Sequence, residues 1–138
     1  MIASWAESLR RLAYSLAGVG RLEQALASAQ EAVTIRRRLA ETAPDAYLPD
    51  LATSSHTLAM LLADVGRHQQ ALAAAQEATD HYRRLADTAP DAHLPGLAGS
   101  LKSLAIYLAE VGRDTQALAS VEEATEHYRQ LADTEPDA

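Results

Sequence analysis

The chain has 138 residues, 48% of them apolar, no cysteine and a formal net charge of −7. That is enough apolar material for one domain with a core. The missing cysteines exclude a disulfide framework and a thiolate metal site, and the negative charge disfavours nucleic acid as a partner. No apolar run approaches 18 residues and no basic-then-apolar leader opens the sequence, so the expectation is a cytoplasmic segment with no membrane span. A single Lys, no Asn and abundant Ala, Arg, Leu and Asp suit a GC-rich bacterial gene or a designed consensus.

The sequence repeats with a fixed period of 46 residues. Pro44, Pro90 and Pro136 fall at that interval, and so do Gly20, Gly66 and Gly112. The chain therefore divides into three units of a single array, 1–46, 47–92 and 93–138. Units two and three share 29 of 46 residues and units one and two share 26, so all three are expected to form the same motif. Alanine dominates the apolar set and Phe is absent. Each unit alone buries little area, so stability must come from contact between neighbouring units, and three units are near the minimum for such an array.

In chain order, unit one opens with Met1-Ile2-Ala3-Ser4 and carries Trp5 where the other units carry Leu51 and Leu97. It holds six basic and five acidic residues, a net +1. In unit two, the pattern predicts a first helix (helix A) near 49–64 and a second (helix B) near 67–87. The stripe of helix B is Ala71, Ala75, Ala78, Tyr82 and Leu85, spaced at helical intervals. This unit nets −3, from three basic and six acidic residues.

Unit three repeats the pattern, with Leu97, Leu101, Leu104 and Leu108 on helix A and Ala117, Val121, Ala124, Tyr128 and Leu131 on helix B. Its three basic and eight acidic residues net −5, so the array is electrically polar along its length. Val-Gly-Arg at 19–21, 65–67 and 111–113 separates the helices within each unit, since glycine tolerates the left-handed backbone that ends a helix. The Pro-Asp-Ala-x-Leu-Pro stretch is read as the break between units, with Pro90 and Pro95 kept out of any helix interior and Pro95 in a first turn. Arg36 stands where the later units have Tyr82 and Tyr128, which suggests a less buried helix B end in unit one.

These residues resemble the tetratricopeptide repeat family. Unit two carries the family's spacing as Leu58, Ala59, Leu62, Gly66, Ala71, Ala75 and Ala78. Unit one has Leu12, Ala13, Leu16, Gly20, Ala25, Ala29 and Ala32, and unit three has Leu104, Ala105, Leu108, Gly112, Ala117, Val121 and Ala124. The period is longer than the usual ~34 residues, a form similar to the arrays of kinesin light chain and of bacterial signalling proteins. The resemblance implies an all-α, right-handed superhelical α-solenoid of three helix-turn-helix repeats, with the A helices lining a concave face.

Carried onto that face, the resemblance gives a basic row, Arg10, His56 and Lys102, beside a row of Tyr14, Met60 and Ile106, with Glu7 and Thr53 at the edge. Such a face implies a protein or peptide partner. Both asparagines that the family often carries in helix A are missing from the windows 8–13, 54–59 and 100–105, which weighs against an amide clamp on an extended peptide. The competing reading is that the two rows are ordinary surface.

No catalytic residues, metal ligands or cofactor are expected. His56, His68, His81, His93 and His127 read as surface residues, and Gly18-Val-Gly20 has no strand before it to form a phosphate loop. Helix B of unit three has no following helix A, which leaves Val121, Tyr128 and Leu131 partly open. With Trp5 at the other end, they could join copies head to tail. The function expected is a non-enzymatic scaffold that binds a peptide or protein segment on its concave face, as a fragment of a longer array prone to self-association. The alternatives are a regulatory arm of a larger signalling ATPase or protease and a structural repeat without a ligand.

Overall fold

A computed structural model of the chain describes residues 2–18 and 20–134, with side chains described for 4–13 and 20–133. Six helices account for nearly all of it: α1 (Ile2–Gly18), α2 (Leu22–Thr42), α3 (Pro44–Asp64), α4 (His68–Thr88), α5 (Pro90–Glu110) and α6 (Asp114–Thr134). No strand occurs among the described residues. Each helix packs mainly on the helices before and after it in sequence, with slight further contact between α1 and α3. Packing confined to sequence neighbours makes the fold an all-α solenoid of stacked helix pairs.

Both breaks in the repeat follow from local chemistry. Gly66 has φ +81°, and so do Gly20 and Gly112. At the end of α3, Arg67 N–H donates to the Leu62 carbonyl at 2.8 Å and Gly66 N–H to the Ala63 carbonyl at 3.0 Å. This is the paired bond of a Schellman cap, and it satisfies two carbonyls that the helix end would otherwise leave open. The break between repeats is one residue long. Ala43 and Ala89 each adopt φ −143° and ψ 73°, outside the helical region that a following proline disfavours, and Pro44 and Pro90 then start α3 and α5.

Two sequence expectations about the breaks need correction. Helix A of unit two starts at Pro44 rather than near 49, so the supposed connector is helical. Pro49 and Pro95 lie inside α3 and α5. They are tolerated because they fall in the second turn, where the missing N–H deprives only the carbonyls of Asp45 and Asp91, both on exposed residues that water can reach.

The core is a line of small contacts along the stack. Ala25, Ala59, Ala71, Ala75 and Ala78 have essentially no exposure, and among the larger side chains Leu26, Val33 and Leu101 are fully buried. Small residues at these points let neighbouring helix axes approach closely.

The two seams between helix pairs use different polar chemistry. Where α5 meets α4, Thr79 and Ser100 share a hydroxyl hydrogen bond of 2.8 Å. The Tyr82 ring lies so close to Gly96 that a Cβ there would sit 2.5 Å from Cε1. Where α3 meets α2, the equivalent of Tyr82 is Arg36, only 2% exposed. Its Nη1 donates to Ser54 Oγ at 2.7 Å and to the Asp50 carbonyl at 3.2 Å, and its Nη2 to Glu7 Oε2 at 2.8 Å. The expectation of a looser helix end at Arg36 is thus overturned: the guanidinium is drawn in because hydrogen bonds and an anion meet it there.

Candidate interaction surface

The positions expected to form two continuous rows do not share one environment. Arg10 is held by Glu7, with Nη2 donating to Oε1 at 2.6 Å. Hydrogen bonds from Arg10 and then Arg36 pull the Glu7 carboxyl down to a pKa of about 2. His56 is half-buried, its Nδ1 has no hydrogen-bond partner, and burial lowers its pKa. Met60 is also half-buried. Lys102 is exposed and Ile106 half exposed. The side chain of Tyr14 lies outside the described residues. The change along each row follows place in the stack. In the middle, α5 packs on α4; no described helix packs on α6 in the same way.

What the structure does bring together is the unit-three third of the expected face and two residues of the expected open end. Lys102 and Ile106 of α5 line a single groove of about 510 Å³ with Val121, Thr125 and Tyr128 of α6. Its floor includes Ala105, Ala117 and Ala124. Leu118 is the residue that sequence reasoning missed. It is 58% exposed, whereas its repeat mate Leu72 is 3% exposed under α5. The signal was available, because Leu26, Leu72 and Leu118 recur at the period, one residue outside the stripe assigned to helix B. Val121 and Tyr128 are half exposed, and Leu131 is half-buried.

The opposite end shows the other half of the same seam. Trp5 is 57% exposed where Leu97 is 3% exposed, and Leu12 and Ser8 are exposed where Leu104 and Ser100 are buried.

Along the B helices a charged motif recurs. Arg37 pairs with Glu77, which also meets His81 Nε2 at 3.2 Å; one period on, Arg83 pairs with Glu123 at 2.9 Å, which meets His127 Nε2 at 3.3 Å. Hydrogen bonds from His81 and then Arg37 lower the Glu77 pKa to about 2. With partners that are partly exposed, such pairs contribute modestly to stability, and each joins one B helix to the next.

These pKa shifts set an expected acid response. The unfolded chain binds protons more readily than the folded one at His56, Glu7 and Glu77, so acid favours unfolding. Stability should begin to fall as pH drops below about 6.5, the unfolded histidine value, and fall further between about 4.5 and 2 as the two carboxylates protonate. Urea midpoints measured across pH would show this, and Glu7→Gln should flatten the lower part of the curve. A midpoint constant from pH 6 to 3 would contradict it.

Among the described residues no group of three or more His, Cys, Asp or Glu could hold a metal ion. No described helix is long and apolar enough to cross a membrane.

The match to a family profile agrees with this geometry. The profile of the tetratricopeptide repeat family matches residues 5–45 and 51–91, one match for each of the first two helix pairs. The solved crystal structure of MamA is similar over 93% of this chain and 81% of its own, at 18% identity and a TM-score of 0.39. No curated protein matches the sequence.

Proposed function

The chain belongs to the tetratricopeptide repeat family, and on that premise we propose that it is a non-enzymatic cytoplasmic scaffold that holds a segment of a protein partner. The contact face is the one carrying Arg10, Tyr14, His56, Met60, Lys102 and Ile106, and binding is concentrated where α5 and α6 leave it open. The same opening makes the array prone to self-association through its ends.

What supports this reading is the apolar groove at that end. Ile106, Leu118, Val121 and Tyr128 expose a contiguous apolar patch with Lys102 on its rim. Contiguous patches of this kind on a soluble protein mark interaction sites, whereas single exposed apolar residues do not. The groove has the shape in which an amphipathic helix lies, because α5 occupies its counterpart on α4.

The test uses a peptide of residues 90–110, the sequence of α5, labelled for fluorescence anisotropy. Saturable binding to the chain is expected. Leu118→Glu and Ile106→Glu should each weaken it by about tenfold or more, the loss expected for a residue at the centre of an interface. Both positions are at least half exposed, so the circular dichroism of the variants should match that of the parent. Absence of saturable binding, or binding indifferent to both substitutions, would refute the reading.

A further inference from the structure

We propose that the occupant of the α5–α6 groove is α1 of a second copy, docked head to tail in the register that α5 takes on α4. This rests on the groove being a helix-binding site and adds the identity of the helix. The two ends of the described stack expose complementary halves of one interface, and the molecule already contains that interface internally.

The correspondence holds at several points. On the groove side, α6 presents Leu118, Val121, Thr125 and Tyr128 at the positions where α4 carries Leu72, Ala75, Thr79 and Tyr82, of which Thr79 meets Ser100 and Tyr82 meets Gly96 of α5. On the helix side, α1 presents Trp5, Ser8 and Leu12 where α5 buries Leu97, Ser100 and Leu104. The internal hydroxyl pair is Thr79 with Ser100, and its end-to-end equivalent is Thr125 with Ser8. Thr125 is already set for the role. Its Oγ1 donates to the Val121 carbonyl at 2.8 Å, as Thr79 donates to the Ala75 carbonyl at 2.8 Å. The hydroxyl proton is used in both, so the lone pairs of Thr125 face a serine donor.

Charge agrees with this register. Arg37 pairs with Glu77 and Arg83 with Glu123, each joining one B helix to the next. The next arginine at this period is Arg129, largely exposed and 3.9 Å from Glu126. The preceding glutamate at this period is Glu31, also exposed. Head-to-tail docking brings Arg129 of one copy to Glu31 of the next. The net charges of the end units, +1 and −5, add a long-range attraction of the same polarity.

The end seam is not identical to the internal one. Val121 and Trp5 are bulkier than Ala75 and Leu97, so the docked helix sits farther out and association is reversible. The contact is also heterologous: each copy keeps one free end of each kind, and growth is open-ended rather than stopping at a dimer.

Two kinds of measurement test the proposal. In sedimentation velocity, the average mass should rise with concentration past that of a dimer, and added salt should reduce it. Trp5 is the sole tryptophan, and its emission should shift to the blue over the same concentrations as it is covered. Leu12→Glu blocks one end and Leu118→Glu the other. Each variant alone should remain monomeric, and an equimolar mixture should form a 1:1 dimer and nothing larger. The charge-reversed variant Arg129→Glu should associate more weakly, and combining it with Glu31→Arg should restore association.

A plateau at dimer mass that survives Leu12→Glu, with no shift in Trp5 emission, would overturn the proposal in favour of two grooves meeting face to face. A mass independent of concentration would overturn it in favour of a different protein or a further repeat as the occupant. If the residue 90–110 peptide still binds in that case, the groove stands as a helix site and only the identity of its occupant fails.

Discussion

Leu101→Ala is expected to lower stability by about 3–5 kcal/mol, the upper part of the range for removing a leucine from a packed core. Leu101 is fully buried in α5. The core it belongs to is rich in alanine, whose side chains cannot swing into a void, so the cavity should stay open rather than collapse. A domain of this size has about 5–15 kcal/mol in total, so the loss is a large share. It should not be spread evenly. Stability in a stack is a sum of unit terms and contacts between nearest neighbours, and the seam between α4 and α5 carries much of the third unit. Hydrogen exchange should therefore accelerate most in α5 and α6 and least in α1 and α2. Uniform acceleration across all six helices would mean that the chain unfolds as one cooperative block, contrary to a stack coupled only through neighbours.

The sequence carried the repeat, the helix pairs and the capping glycines because each depends on chemistry within one period. A glycine that must take φ near +81° recurs wherever that cap recurs. What it hid are features that depend on place in the stack. Lys102 and His56 are the same position read 46 residues apart, yet one is open and the other is half-buried with an unpartnered nitrogen. Pattern alone treats them as equal members of a row.

Helix boundaries failed for a related reason. Pro49 and Pro95 look like breakers by residue type, but in the second turn each removes a single bond from a carbonyl that water reaches. Arg36 was misread because a charged residue at a tyrosine position suggests solvent. Its burial depends on Glu7 from α1 and Ser54 from α3, and no helical pattern within unit one links the three. The groove was legible in part. Val121 and Tyr128 belong to a visible stripe, whereas Leu118 lies beside it and stands out only when compared with Leu72.

Arg36 also supports the second large prediction, because the chain contains two solutions to one packing problem. Around α2 and α3, the positions are Glu7, Arg36 and Asp50. One period later they are Thr53, Tyr82 and Gly96. In the second set the Tyr82 hydroxyl lies 3.3 Å from the Thr53 hydroxyl, and its ring fills the space that a Cβ at residue 96 would need. Arg36→Tyr alone should cost about 2–4 kcal/mol. It removes three hydrogen bonds donated by a buried guanidinium and pushes a ring toward the Cβ of Asp50. Arg36→Ala should cost a similar amount, since it leaves Ser54 buried without its donor and a void beside it.

Adding Asp50→Gly and Glu7→Thr to Arg36→Tyr imports the whole second solution, and most of the loss should return. Denaturant midpoints for the single, double and triple variants would measure this, with a favourable coupling of at least about 1 kcal/mol expected among residues in direct contact. Simple addition of the three single costs would mean that the seams are not interchangeable and that each is fixed by its wider surroundings. Recovery in the triple variant would show that the polar set at each seam acts as a key, distinguishing the first junction from the second in helices that share most of their residues.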